Sequence, residues 1–415
     1  MRDQNAPPVI MTEMKPFQEE IRREFDRILG FWNRFSMDKE KDGFVGKLDN
    51  ANKPIQGAPK GAVLNARILW TFSAAYSFTN QTEHLDLATT AYYYIRDHFT
   101  DPVNGGLFWS VDENGNPLDT HKQIYAQSFG IYGMSEYYRA SGNEQALALA
   151  IEWYRLIEQY SLDTAYRGYM DAFARDWTFL ENKRLSAKDD NALKTMNTHL
   201  HILEGYANLY ELWPDPLLRI RIVELLALFQ EKIVDKNNDH LRLFFDAEWN
   251  LKPGIISYGH DIEAGWLLQS CAESIGDETW IPLTKANALR ITDAAMEGLD
   301  DDGGLWYELD TISGQLVKEK HWWPQAEALI GLCNAWEISG NPLYQKAMLK
   351  NWQFIKKYII DHKEGEWFWG VTADHSIMKD QDKIGLWKCP YHNSRACLQL
   401  LKRLTPFVTP VSSGL

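Results

Sequence analysis

The chain repeats itself. A short turn, most often Gly followed by aromatic or aliphatic residues, comes back six times: Gly43-Phe44-Val45, Gly106-Leu107-Phe108-Trp109, Gly168-Tyr169-Met170, His240-Leu241-Arg242-Leu243, Gly304-Leu305-Trp306-Tyr307 and Gly365-Glu366-Trp367-Phe368. An aspartate stands a few residues ahead of each, at Asp38, Asp101, Asp163, Asp235, Asp300 and Asp361. The steps between turns are 63, 62, 72, 64 and 61 residues. A period of this kind decides the architecture before any local propensity does. Each interval holds two helices, for example NARILWTFSAAYSFT with HLDLATTAYYYIRDHF, and YAQSFGIYGMSEYYRAS with QALALAIEWYRLIEQYS. Residues 15–35 carry apolar side chains at helical spacing (Phe17, Ile21, Phe25, Ile28, Leu29, Trp32), and the stretch after them reads as a hairpin between turn residues.

Six helix pairs joined by short hairpins predict an all-α (α/α)6 barrel, a toroid of six helix pairs with short β-hairpins in the connecting loops. Closing the ring lets each pair bury its apolar face against two neighbours, whereas an open stack needs polar capping repeats, and neither end looks like one. The length of 415 residues alone suggests two or three domains. The repeat, however, runs through without a linker or composition shift, so one catalytic domain spanning 1–415 is expected, with 1–15 and 408–415 as peripheral tails. Inner helices of such a ring begin at one rim, and side chains in their first turns converge on a central cleft.

Net charge is −14 with no Lys/Arg-rich run, which argues against nucleic acid and anionic membrane partners. No run is long enough to span a membrane, and the polar residues 1–15 lack the apolar core of a signal peptide. The four cysteines, 271, 333, 389 and 397, form no CxxC pair; a reduced, cytoplasmic chain is the natural reading. The expected partner is an uncharged or cationic small molecule. Seventeen tryptophans either fill the core or offer flat faces for stacking on sugar rings.

The chemistry gathers in a few stretches. In GHDIEAGWLL, His260 and Glu263 share a face at the first turn of a helix. His392, in CPYHNSRA, opens another apolar helix. Each histidine taken singly reads as a helix-start residue; together they are a candidate acid/base pair, since imidazole works both ways near pH 7. In MNTHLHIL, Asn197 and His201 lie on one face and His199 on another, so a His-x-His metal site is disfavoured on a helix and His199 reads as a core hydrogen-bonder. Arg67 sits in an apolar helix and needs either a carboxylate partner or substrate oxygens. Asp189 in LSAKDD is either a solvated loop acid or a ligand of substrate. Tyr125, at a helix start, can reach a substrate hydroxyl. In HWWPQAEAL, one of Trp322 and Trp323 is expected to face the core and the other the cleft; Trp387, just ahead of the His392 loop, is a further stacking candidate. No GxSxG, P-loop or dinucleotide motif is present.

KGAVLNARILWTF, YAQSFGIY, LSAKDD…MNTHLH, SYGHDIEA, HWWPQAEAL and WKCPYHN together resemble the cellobiose 2-epimerases of the N-acylglucosamine 2-epimerase superfamily, over roughly residues 15–405. The resemblance implies an (α/α)6 barrel, needing neither metal nor organic cofactor, that epimerises C2 of the reducing-end sugar of disaccharides such as cellobiose and lactose. It implies His260 and His392 as the acid/base pair, His201 and Arg67 at the O1/O2 side, and Tyr125, Asp189, Asn197, Glu263, Trp322, Trp323 and Trp387 holding the sugar. A nearby branch acts on free mannose. The rivals are a glycoside hydrolase on the same toroid and a non-catalytic sugar-binding protein. A monomer is expected.

Overall fold

The computed structural model describes residues 8–185, 188–252 and 254–408. Among them, twelve α-helices follow in order: α1 (Pro8–Phe35), α2 (Ala62–Thr79), α3 (Thr82–Tyr94), α4 (Ile124–Ser141), α5 (Glu144–Tyr160), α6 (Met196–Tyr210), α7 (Pro216–Leu228), α8 (Tyr258–Ser274), α9 (Trp280–Ala295), α10 (Trp322–Ser339), α11 (Pro342–Phe354) and α12 (Tyr391–Val408). The even-numbered helices form the inner ring, each packed on the next, and α12 closes onto α2. Each inner helix packs against an outer one, and α1 is the outer partner of α12, so the two ends of the described chain complete the sixth pair. This is the expected (α/α)6 barrel.

Helix α1 takes in residues 8–15 and α12 runs to Val408; residues 1–7 and 409–415 lie outside the described residues. Proline usually breaks a helix, yet α1 runs on through Pro16.

The helix patterns follow from position. Outer helix α5 buries one stripe, Ala146, Ala150, Trp153, Tyr154 and Ile157, and leaves its other face to water. Inner helices α2 and α10 are buried over nearly every residue, because neighbours wall them on all sides. Inner helices α4 and α10 end in Ser-Gly-Asn: Gly142 and Gly340 take the left-handed conformation that stops the helix, and Asn143 and Asn341 cap the next.

The six echoed turns become six equivalent bridges, Met37 to Phe44, Thr100 to Leu107, Leu162 to Tyr169, Val234 to Leu241, Leu299 to Leu305 and Ile360 to Trp367. The preceding aspartates hold them. The Asp163 N–H donates to the Gly168 carbonyl at 2.8 Å, and its carboxylate accepts from Ala165 and Tyr166 N–H, as the short Asp side chain does well in a turn. Five of the six also hold a buried lysine from the segment entering an inner helix: Lys60 to Asp38, Lys122 to Asp101, Lys194 to Asp163, Lys320 to Asp300 and Lys383 to Asp361, at 2.6–3.1 Å. These pairs bind one repeat to the next. Two- and three-stranded sheets reinforce them, the strand ahead of an inner helix pairing with the following loop.

The fourth residue of several inner helices grips the turn from inside. Gln127 accepts from Leu107 N–H at 2.7 Å and donates to its carbonyl at 2.9 Å; Gln325 does the same to Leu305. His199 plays this part in α6. Its Nδ1 donates to the Thr195 carbonyl and its Nε2 accepts from Tyr169 N–H at 2.9 Å, so both nitrogens are committed and His199 is the core hydrogen-bonder expected. Gly168 must be glycine here: its φ is +78°, and a Cβ would lie 2.5 Å from Trp249 and 2.7 Å from His199. Gln127→Leu leaves two buried backbone groups of the second turn unpaired. It is expected to destabilise the fold by about 1–3 kcal/mol for each orphaned group, read as a shift in the denaturant unfolding midpoint.

Candidate active site

The first turns of the inner helices open onto a cleft of about 510 Å³. Arg67 of α2, Tyr125 of α4, Asn197 and His201 of α6, His260 and Glu263 of α8, Trp322 and Trp323 of α10, and His392 of α12 all line it, with Asp189 and Trp387 from loops. The structure thus brings all eleven residues singled out in the sequence to one cavity. Of the LSAKDD stretch, Ser186 and Ala187 lie outside the described residues.

The two helix-start histidines both lie close to one indole. The ring of Trp323 is 4.7 Å from that of His260 and 5.7 Å from that of His392, centre to centre. His392 Nδ1 donates to Glu327 Oε1 at 2.6 Å, and His260 Nδ1 bonds the Ser257 hydroxyl at 2.8 Å. His201 Nδ1 donates to Glu204 Oε2 at 2.8 Å. In each of the three the other ring nitrogen, Nε2, has no hydrogen-bond partner among the described residues and is the one left for a substrate. All three imidazoles are held neutral. Burial lowers His260 to about 3, with Lys188, His201 and His392 adding to it; burial, Arg67 and Arg395 press His392 down; burial lowers His201.

Beneath the cleft lies a charged cluster that the sequence reading missed. Arg395, fully buried, donates to Glu263 Oε1 at 2.8 Å, Glu327 Oε1 at 2.6 Å and Glu204 Oε1 at 2.5 Å, and also bonds the Tyr391 hydroxyl. Tyr391 donates to Glu204 at 2.6 Å and Trp266 to Glu327 at 3.0 Å. One guanidinium therefore connects the carboxylates behind His201 and His392. The signal was there: Glu204, Glu327 and Arg395 are charged residues inside apolar inner helices, the same signal that drew attention to Arg67. Glu263, Glu327 and His392 have metal-like spacing, but the Arg395 guanidinium already sits against the oxygens of both carboxylates, so this cluster has its cation.

Burial and the neighbouring Glu327 push Glu263 up to about 8, so near neutral pH this carboxyl keeps its proton. The unfolded group titrates near 4.5. Its contribution to stability is thus complete below that pH and is lost as pH rises through about 8. Turnover is expected to fall across the same upper limit, where a new carboxylate charge appears 3.9 Å from His392 Nδ1. A pH–rate profile tests this: the residual activity of Glu263→Gln should show no limb near pH 8.

Arg67 is buried with no carboxylate bonded to it among the described residues. It donates to the Tyr125 hydroxyl at 2.8 Å, touches Cys389 Sγ at 3.8 Å, lies 4.2 Å over Phe129 and 4.9 Å over Tyr391, and its Nε is unpartnered. The structural pairing with a carboxylate allowed by the sequence is not what holds it. Of the tryptophan pair, Trp322 is buried in the core against Trp369 with its indole N–H unpartnered, Trp323 is half-buried, and both contribute to the cleft lining. Trp387, also in the cleft lining, meets Trp109 at a tilt and Tyr125 edge-on.

A closed ring of six helix pairs, with imidazoles and indoles lining the rim of its cleft, defines a carbohydrate-active (α/α)6 barrel. The sequence profile of the N-acylglucosamine 2-epimerase family matches residues 43–396, and the chain belongs to that family. Within it, the chain stands with the cellobiose 2-epimerases, and it is an isomerase. It is 45% identical to the cellobiose 2-epimerase of Bacteroides fragilis over 92% of this chain and 98% of that protein. The structure of cellobiose 2-epimerase from Bacillus thermoamylovorans superposes with a TM-score of 0.89 at 38% identity, covering 94% of this chain and all of that one. Likeness to the D-mannose isomerase of Marinomonas mediterranea is lower, 23% over 93% of this chain and 97% of that protein.

Proposed function

We propose that this enzyme interconverts the C2 configuration of the reducing-end glucose or mannose unit of β-1,4-linked disaccharides such as cellobiose and lactose. One observation carries the assignment of residues: two neutral imidazoles, on different inner helices, lie close to the same indole in one cleft with their Nε2 atoms uncommitted.

The sugar ring opens to an aldehyde, which acidifies the C2 proton. One histidine takes that proton through Nε2, and the electron pair moves through C1 onto the aldehyde oxygen to give a cis-enediolate. Rotation about C2–C3 turns the other face, and the second histidine, which takes up a proton from solvent on Nε2, delivers it to C2 there, while the first returns to solvent the proton it took. Arg67 and His201 stabilise the oxygens on which charge develops, often the largest single contribution to such catalysis. Arg67 suits this because no protein carboxylate competes for it. Tyr125, Asp189, Asn197, Glu263, Trp322, Trp323 and Trp387 hold the sugar. Neither metal nor organic cofactor takes part in these steps. A hydrolase needs two carboxylates across the bond; here Glu204, Glu263 and Glu327 are tied to Arg395. We place this chemistry in a single domain acting as a cytoplasmic monomer. Four free, buried cysteines suit a reducing compartment, and a closed ring leaves no repeat edge to pair; light scattering tests the monomer.

Incubation with cellobiose, lactose and mannose in D₂O tests the reading. Deuterium at C2 together with a mannose-type reducing end is expected on the disaccharides. Faster turnover of mannose than of either disaccharide would favour a monosaccharide enzyme, free glucose a hydrolase, and no change of any sugar a binding protein.

A further inference from the structure

The two histidines are braced differently. Behind His392 stands Glu327, a carboxylate fixed by Trp266 and Arg395, which stabilises an imidazolium when His392 takes a proton. Behind His260 stands a neutral hydroxyl, Ser257. Ser257 is fully buried and occupies the cap position of α8, in a strand where it pairs with Glu308. A serine there ordinarily gives its oxygen to the helix backbone. Thr195 does so at the same place in α6, accepting from Thr198 N–H, but the Ser257 hydroxyl makes no cap bond and its partner among the described residues is His260.

We propose that Ser257 is a positioning residue for the epimerisation, one that aims His260 Nε2 into the cleft and leaves the His260 ring with a neutral partner instead of a carboxylate. A hydroxyl both donates and accepts, so it supports either neutral tautomer of His260 without the charge that would favour the imidazolium. The other groups around His260 act in the same direction: Lys188 from the loop before α6, His201 from α6 and His392 from α12 are cations or potential cations, and burial alone lowers its basicity. On its own helix, Glu263 is largely protonated near neutral pH, and across the strand pair the Glu308 carboxylate lies 3.6 Å from Lys188. The partner behind the His260 ring is thus the side chain at 257.

This inference rests on His260 and His392 being the C2 acid/base pair, and the test separates the two claims. The protein is labelled with ¹³C/¹⁵N-histidine, His260 is assigned with His260→Gln, and its ring is titrated in wild type, Ser257→Asp, Ser257→Ala and Ser257→Thr. Asp is a favourable capping residue and places a carboxylate behind the ring; it is expected to raise the His260 titration by about one pH unit or more and to move the acid limb of kcat/KM by the same amount. Ser257→Ala is expected to lower kcat roughly tenfold with KM little changed, within the scale of a misaligned acid/base group, and Ser257→Thr to restore most of it. An unmoved His260 titration in the Asp variant, or full turnover in the Ala variant, overturns the role of Ser257. A titration that moves while the rate profile stays fixed overturns the assignment of His260 to the reaction, and the proposal with it.

Discussion

Replacing His392 with alanine lowers turnover on cellobiose by about 10²–10⁴-fold, the usual worth of a positioned acid or base, and so does replacing His260, with the fold intact in both. The more telling result lies in the isotope pattern. Each imidazole serves one face of a planar intermediate. With His260 removed, His392 can still withdraw and return the C2 proton on its own side. That variant is therefore expected to exchange C2 hydrogen with D₂O in one epimer without producing the other; the His392 variant shows the same for the opposite epimer. In the wild type, the product takes up deuterium while recovered substrate stays largely unlabelled at early times, because the histidine that gives is not the one that took. NMR of the sugar C2 position reads all of this. Near wild-type turnover in either variant would remove that histidine from the assignment. Labelling of both epimers by a single variant would mean one base reaches both faces.

The second large effect is on stability. Arg395→Met leaves Glu204, Glu263 and Glu327 buried together without the guanidinium that bonds all three. Removing one partner of a buried ionic cluster costs about 3–5 kcal/mol. Burial works against the Arg395 charge, but Glu327, Tyr391, Glu204 and Glu263 around it outweigh that and keep it charged, so the loss is of a full charge. The deficit has a pH signature. Without the cation the folded carboxylates bind protons more tightly than the unfolded ones, so the variant recovers stability as pH falls and loses it as pH rises. Denaturant unfolding of both proteins across pH 5–9 checks the sign; equal stability at every pH would mean the cluster is not held by its charge.

Much of the site could be read in the sequence because it lies on helix beginnings. His260 and His392 each open a helix of the inner ring, and spacing alone places Asn197 with His201 and His260 with Glu263. The aspartates ahead of the six turns were also visible, and the structure gives them two tasks, bonding the turn backbone and, in five cases, pairing with a buried lysine. Those lysines were not visible as partners, since a lysine 20 to 31 residues from an aspartate carries no local signature. Arg395 was visible as a charge inside an apolar helix, but its partners were not. Its partners Glu204, Glu263 and Glu327 come from three other helices, 191, 132 and 68 residues away.

The division follows from the range of the forces involved. Helical period and turn chemistry are set by neighbours within a few residues, so the amino-acid order alone dictated twelve helices, six turns and one closed ring. Which buried charge meets which, that Arg67 lies between aromatic rings instead of beside a carboxylate, and that a hydroxyl braces one histidine and a carboxylate the other were settled only when the ring closed. Those contacts depend on the relative rotation of helices far apart in the chain, and desolvation in the packed interior then fixes which groups carry protons.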